Sequence, residues 1–151
     1  MTPQMVNARR AWVCSVLATA IFWIALIEFG AVRTDYSQLT KAVSELGAVG
    51  APHALAWNVL GFIVPGLLLA ACGIAVGTVV DERRVALRWM LAGSGVAFAA
   101  TGVFPAVMQD GSPVMQAPST VGHVVMLLLS SIFWLVAIGM LLRKITRDPS
   151  L

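Results

Sequence analysis

Charged side chains are scarce in this sequence. Asp, Glu, Lys and Arg together make up 11% of the 151 residues, whereas hydrophobic residues make up 59% and the mean hydropathy is +0.88. A soluble domain carries about 25% charged residues, so too few are present here to cover a surface in contact with water. The composition therefore excludes a soluble globular protein and predicts one membrane domain over residues 1–151.

Cysteine and histidine are also rare, with two of each. Cys14 and Cys72 fall inside apolar segments at different predicted depths, which argues against a disulfide between them. His53 and His123 lack the i, i+4 spacing of a zinc-binding helix. We therefore expect no metal and no cofactor, although a haem or metal ion held between His53 and His123 stays open. The sequence contains no glycine-rich phosphate loop, no serine nucleophile elbow and no cysteine pair, so no motif indicates an enzyme class.

Four long apolar runs occupy most of the chain. They are Ala11–Val32, Ala54–Val80, Val85–Met108 and Thr120–Leu142. A helix needs about 20 residues to cross a hydrocarbon core of about 30 Å, and each run is long enough. Because unpaired backbone groups are costly in lipid, the runs must be helical. The sequence therefore predicts an all-α polytopic membrane protein, an antiparallel bundle of four transmembrane helices.

Basic residues cluster on one side of these runs. They are Arg9, Arg10, Arg83, Arg84, Arg88, Arg143, Lys144 and Arg147. The other two connections contain only Arg33 and Lys41. The excess of cytoplasmic Lys and Arg in membrane proteins predicts a multi-pass protein of the cell membrane with both termini in the cytoplasm. The net positive charge thus reflects the topology and does not indicate a nucleic-acid partner. We expect membrane lipids as partners. A homodimer or a membrane-protein partner stays open.

Proline and small residues predict local features of the helices. Pro65, four residues after Gly61, predicts a kink in the second helix. Gly73-x-x-x-Gly77 and the many small residues of the third run predict close packing of the second and third helices. Phe104-Pro105 is expected to end the third helix, and Pro118 to begin the fourth.

The connection after the first run is expected to be structured. Asp35 and Gln38 have the spacing of a capping box. Apolar residues recur at helical spacing at Tyr36, Leu39, Val43 and Leu46. Gly47 then supplies a left-handed C-terminal stop. These features predict a short amphipathic helix over about residues 36–46, lying on the outer membrane surface.

Polar side chains gather near the predicted outer leaflet. They are Glu28, Glu45, His53, Asn58, Asp110 and His123. Ionisable residues in or near a membrane are functional candidates. Glu45, His123 and Glu28 are the candidate catalytic groups, because a histidine and a carboxylate can transfer protons.

Several of these residues belong to a pattern. Tyr36, the block Val43-Ser44-Glu45-Leu46-Gly47, Ala51-Pro52, Asn58, Phe104-Pro105 with Asp110, and Gly122-His123 make it up. The pattern resembles the signature of a prokaryotic membrane family catalogued as domain of unknown function 998, over nearly the whole chain. The resemblance implies no activity, but it implies that Ser44, Glu45, Asn58 and His123, which the predicted topology places together on the outer side, are signature positions. A shared site and a structural network are both consistent with this pattern. Many members of the family continue through two further helices. If those helices complete a cavity in the family, the resemblance implies that this chain closes the cavity by dimerising or lacks it.

Three functional hypotheses follow. In the first, a polar site at the outer leaflet binds a small amphipathic molecule or a lipid headgroup, with acid–base chemistry as a variant. Its ligand-binding residues would be Tyr36, Ser44, Glu45, Asn58, Asp110 and His123. In the second, the protein is a non-catalytic structural or accessory subunit, and backbone N–H groups bind Glu45. In the third, it is a small proton-coupled exporter with Glu28 in a central chamber.

Overall fold

The computed structural model describes residues 1–80 and 85–147, apart from the side chains of Ile145 and Arg147. The helices are α1 (Pro3–Val32), α2 (Ala54–Trp57), α3 (Val64–Val80), α4 (Val85–Thr101) and α5 (Pro118–Arg147). A 3₁₀ helix covers Val43–Gly47, a π-helical turn covers Asn58–Ile63, and a hairpin pairs β1 (Met108–Gln109) with β2 (Ser112–Pro113). Arg83 and Arg84, which contribute to the predicted topology, lie outside the described residues.

Three helical segments are long and apolar enough to cross a membrane. They are Pro3–Val32, Ala54–Val80 and Pro118–Lys144, the second formed by α2, the π-helical turn and α3 together. Helices of this length and composition indicate a membrane protein. α4 is apolar but has only 17 residues.

α4 is shorter than the predicted run Val85–Met108. The helix ends at Thr101, and the next two residues form turns in which the N–H groups of Gly102 and Val103 donate to carbonyls three residues back. A proline disfavours helical backbone at the residue before it, which accounts for the failure of the helix to continue through Phe104-Pro105. The predicted boundary near Phe104 was therefore about one turn too late.

α1 begins at Pro3, eight residues before the apolar run at Ala11. The Thr2 hydroxyl caps the helix by accepting a hydrogen bond from the Met5 N–H at 3.3 Å, and Pro3 stands in the first turn, where no N–H is needed. The polar residues before Ala11 are therefore part of the helix. α5 begins at Pro118, as predicted.

The irregularity predicted at Gly61 and Pro65 is a π-helical turn. The Val64 N–H donates to the Val59 carbonyl, five residues back. Pro65 has no N–H to donate to Gly61, and the wider turn accommodates that loss. The turn places Asn58 and Trp57 at the start of the second long helix, where both are buried.

α3 packs against both α1 and α4, and α5 packs against α4. The α3–α4 contact is the closest: a Cβ atom on Gly95 would lie 2.3 Å from the Ala70 nitrogen, and one on Gly73 would lie 2.7 Å from the Leu91 carbonyl carbon. The predicted close packing of the second and third helices is confirmed. Small residues permit it because a larger side chain would separate the two backbones.

The predicted amphipathic helix over residues 36–46 was wrong. Turns occupy this stretch up to the five-residue 3₁₀ helix Val43–Gly47. Leu46 is buried in the aromatic core, whereas Leu39 is 96% exposed, so the regularly spaced apolar residues do not share one face. Asp35 pairs with Arg33, and Gln38 donates to the Leu26 carbonyl at 3.4 Å, so they form no capping box.

Gly47 was also expected to adopt a left-handed conformation, and it does not. The glycines with positive φ in the described residues are Gly50 and Gly111. Asp110 (φ 49°) and Gly111 (φ 76°) form the turn of the hairpin, as is typical of a type I′ turn with an Asp-Gly pair. The all-α prediction missed this hairpin, and the Asp-Gly pair was the signal for it.

Candidate functional site

The two connections at residues 33–53 and 102–117 lie at the same end of the molecule, here called the loop end. The Val49 N–H of the first donates to the Ala106 carbonyl of the second at 2.8 Å. The Val107 N–H donates to the Thr120 hydroxyl of α5 at 2.9 Å. These bonds join the two connections to each other and the second connection to the start of α5. The signature-like residues lie in this layer.

Glu45 is buried within the loop end, with 7% of its surface exposed. Its Oε1 atom accepts a hydrogen bond from the Ala42 N–H at 3.2 Å, and its Oε2 atom lies 3.7 Å from the Lys41 ammonium. Its carbonyl accepts a hydrogen bond from Arg33 Nη1 at 2.6 Å. The carboxylate thus caps its own 3₁₀ helix through one backbone N–H group, a contact of the kind that the structural hypothesis expects.

Arg33 organises this region, and the sequence analysis did not select it. Its Nε and Nη2 atoms donate to the two carboxylate oxygens of Asp35 at 2.9 and 3.0 Å. This hydrogen bonding is the largest cause that lowers the pKa of Asp35 to about 2, and Lys41 adds to it. An arginine two residues before an aspartate, in a connection that also contains Lys41 and Glu45, was the signal that could have found it.

Asn58 joins the 3₁₀ helix to the π-helical turn. Its side-chain Nδ2 donates to the Gly47 carbonyl at 3.0 Å, and only 5% of the residue is exposed. A Cβ atom on Gly47 would lie 2.0 Å from Asn58 Oδ1. The contact therefore requires a residue without a side chain at position 47.

His123 joins α5 to the end of α4. Its Nδ1 atom lies 3.0 Å from the carbonyl oxygens of both Thr101 and Phe104. Because both neighbours are acceptors, Nδ1 must carry the proton. The ring packs edge-on against Phe62 with centroids 5.7 Å apart, and the residue is 5% exposed. His123 thus satisfies carbonyls that a helix end leaves unpaired.

A cavity of about 390 Å³ opens at the loop end. Arg33, Asp35, Glu45, Met108 and residues 48–52 line it. We call it the loop-end cavity. Of the candidate ligand-binding residues selected from the sequence, Glu45 alone is among the described residues that line it, together with Ala51 and Pro52 of the family-like pattern. Asn58 and His123 hold the surrounding frame instead.

The remaining candidates are dispersed. Asp110 is exposed in the hairpin turn, and Glu28 is exposed on α1. Among the described residues, the side chains of Glu28 and Ser44 have no hydrogen-bond or ion-pair partner. The Tyr36 ring lies against Gly30, and its hydroxyl is buried without a partner in the described part of the chain; burial raises its pKa.

The histidines contact different parts of the molecule. His53 is exposed at the start of α2, with its ring 6.4 Å from Phe29, whereas His123 is bonded to α4. Within residues 1–80 and 85–147, no group of three or more His, Cys, Asp or Glu side chains is placed to hold a metal ion. Cys14 and Cys72 are free thiols.

Comparison with known proteins bears on the family. No curated protein and no solved structure matches the chain. A family model described as "Protein of unknown function (DUF998)" matches residues 16–149. Because this match covers nearly the whole chain, the protein belongs to the DUF998 family.

Proposed function

We propose that this protein crosses the cell membrane four times and binds the polar headgroup of a small amphipathic molecule or lipid in the loop-end cavity. One observation carries the proposal: a cavity lined by Arg33, Asp35 and Glu45 lies at the end of long apolar helices. An amphipathic molecule fits both the apolar helices and the charged cavity, since its tail can lie among the helices while its headgroup contacts the charged side chains. This function requires no metal and no haem.

The number of spans rests on the packing of α4. Its 17 residues extend about 26 Å, slightly less than a typical hydrocarbon core. However, α4 lies in backbone contact with α3 from Gly66 beside Ala99 to Gly77 beside Arg88. α4 therefore runs through the same layer as α3, and a local thinning of the bilayer can accommodate the difference in length.

The orientation rests on charge. Arg9 and Arg10 in α1, and Arg143 and Lys144 in α5, belong to the end opposite the loop end. The preference of Lys and Arg for the cytoplasm then places both termini inside the cell and the loop-end cavity at the outer surface.

Cysteine labelling in intact cells tests this orientation. In a background with Cys14→Ser and Cys72→Ser, a cysteine introduced by Ser112→Cys in the hairpin should react with an impermeant reagent. One introduced by Gln4→Cys near the N-terminus should react only after the cells are permeabilised. The reverse pattern would place the loop-end cavity in the cytoplasm and refute the proposed topology.

Mass spectrometry of molecules retained after gentle detergent extraction tests the binding function. Ala51→Leu should fill part of the loop-end cavity, so it should abolish the retention of a lipid or other amphipathic molecule that the original protein carries. Asp110→Asn is the matched control, because Asp110 is exposed outside the cavity and asparagine tolerates its positive φ. Retention unaffected by Ala51→Leu would contradict the proposed site.

The accessory-subunit hypothesis is the second candidate. The hydrogen bonds of Asn58 and His123 to backbone carbonyls favour it, because these groups hold the frame. If no amphipathic molecule is retained and Glu45→Gln lowers stability, this hypothesis replaces the first. The exporter hypothesis loses its geometric support, since Glu28 is exposed on the surface of α1 rather than in a chamber.

A further inference from the structure

Arg33 lines the loop-end cavity and has hydrogen-bond donors that no residue in the described part of the chain engages. A guanidinium has five N–H groups, and three of them are engaged, two by the Asp35 carboxylate and one by the Glu45 carbonyl. One N–H remains on each terminal nitrogen. Two neighbouring guanidinium donors match the oxygen atoms of a phosphate group.

Asp35 and Glu45 present acceptors to the same cavity. Each carboxylate oxygen of Asp35 accepts one hydrogen bond from Arg33 and retains further lone pairs, and the side chain is 61% exposed. Glu45 Oε2 makes a long ion pair with Lys41 at 3.7 Å. Two carboxylates therefore remain able to accept hydrogen bonds from a cationic group beside the phosphate.

The charges of this region balance. Arg33 and Lys41 are matched by Asp35 and Glu45, and all four are joined by ion pairs or hydrogen bonds. A headgroup with a net charge would therefore gain little from the cavity as a whole. A headgroup with separated opposite charges would gain at both ends.

The lining also distinguishes between kinds of cation. A quaternary ammonium has no N–H group and is bound best by aromatic faces. The residues that line the loop-end cavity include no aromatic side chain. A primary ammonium, in contrast, donates up to three hydrogen bonds to carboxylates.

We infer that the loop-end cavity selects a zwitterionic headgroup in which a phosphate is joined to a primary ammonium, of the phosphoethanolamine type. This inference rests on the proposed function. It assigns the phosphate to Arg33 and the ammonium to Asp35 and Glu45, and it makes Arg33 a specificity-determining residue.

Lipid competition on the full-length protein tests the inference. The purified protein is exchanged into micelles containing equal amounts of phosphatidylethanolamine, phosphatidylcholine and phosphatidylglycerol with identical acyl chains, and bound lipids are counted by native mass spectrometry. We expect phosphatidylethanolamine to exceed each of the others by about tenfold, the ratio that corresponds to one charged hydrogen bond. Free phosphoethanolamine, added in a separate experiment, should compete with it, and binding of the free compound in the absence of lipid would identify a soluble source of the same headgroup.

Two variants examine the assigned roles. Glu45→Gln should reduce the preference over phosphatidylcholine, because it removes an acceptor for the ammonium. Asp35→Asn, at an exposed side chain, should shift binding towards phosphatidylglycerol, because it releases Arg33 for an anionic headgroup. Asp110→Asn, outside the cavity, should match the original protein.

The outcomes separate the two proposals. Equal retention of phosphatidylcholine and phosphatidylethanolamine, or a preference for phosphatidylglycerol by the original protein, would overturn the headgroup assignment while leaving a lipid-binding protein. Retention of no lipid, together with no effect of free phosphoethanolamine, would overturn both the assignment and the proposed function.

Discussion

Asn58 and Gly47 form a buried contact that joins the first connection to the second long helix. Asn58 Nδ2 donates to the Gly47 carbonyl at 3.0 Å, and the Gly47 Cα lies so close to the asparagine amide that a Cβ would be 2.0 Å from Oδ1. Gly47 is therefore required for close approach, not for a left-handed conformation. The contact holds the 3₁₀ helix, and with it Glu45, beside the loop-end cavity.

Gly47→Ala tests this contact. The added methyl group must displace Asn58 and break its buried hydrogen bond, so the free energy of unfolding in mixed micelles should fall by about 1–3 kcal/mol. Gly139→Ala in α5 is the control, because a Cβ there meets no atom within 4 Å and alanine favours a helix. Equal stability of the Gly47 variant and the original protein would mean that the close approach does not contribute to stability.

His123 should tolerate one substitution better than another. His123→Phe keeps the buried ring but leaves the Thr101 and Phe104 carbonyls without their donor, so unfolding should become easier by about 1–3 kcal/mol. His123→Asn retains an N–H donor near the position of Nδ1 and should cost less. A Phe variant as stable as the Asn variant would show that these hydrogen bonds are unimportant to stability.

Ser94 and Ser130 form reciprocal hydrogen bonds between α4 and α5. Each hydroxyl donates to the other residue's carbonyl, at 3.0 and 2.9 Å. Alanine keeps the backbone carbonyl, so Ser94→Ala and Ser130→Ala each remove one of the two bonds, and each should lower the free energy of unfolding by about 0.5–1.5 kcal/mol. Ser131 bonds its own helix at the Leu127 carbonyl, so Ser131→Ala should cost less than either. Equal costs for all three variants would refute a stabilising role of the bonds between α4 and α5.

Asp35 should titrate well below an ordinary aspartate. The Arg33 guanidinium holds the pKa of Asp35 at about 2, against an ordinary value of 3.8. Because folding lowers the pKa of Asp35, the ionised carboxylate stabilises the folded protein. This contribution to stability is fully present above about pH 4 and is lost as the pH falls towards 2. Carboxyl NMR shifts should show Arg33→Gln raising the pKa more than Lys41→Gln does. A larger rise in the Asp35 pKa with Lys41→Gln than with Arg33→Gln would show that Lys41, and not Arg33, is the main partner of Asp35.

Some helix boundaries could be predicted from the sequence, and others could not. Pro118 and the irregularity near Pro65 follow from the missing proline N–H, which acts on the chain locally. The end of α4 was placed about one turn too late, since the hydropathy of Val85–Met108 continues past the point where the chain turns. Hydropathy shows which residues avoid water, but it does not show where the backbone hydrogen bonds of a helix end.

The connection after α1 shows why local patterns failed. Residues 36–46 have helical spacing, but Tyr36 and Leu46 pack against the aromatic core while Leu39 does not. The ion pair with Arg33 removes Asp35 from any helix cap. Contacts with α1 and α2 therefore override a weak local preference in a segment too short to form a stable helix alone.

The sequence by itself determined the class of protein, the long helices and the close packing of α3 and α4. Hydropathy and side-chain size are properties of the residues themselves, so they do not depend on which distant residues meet. It also identified Glu45, Asn58 and His123 as notable. Only the tertiary structure decided that Asn58 and His123 bond backbone carbonyls while Glu45 meets Arg33 at a cavity. Which polar groups meet depends on how the connections fold over the helix ends, and that depends on contacts between residues far apart in the chain.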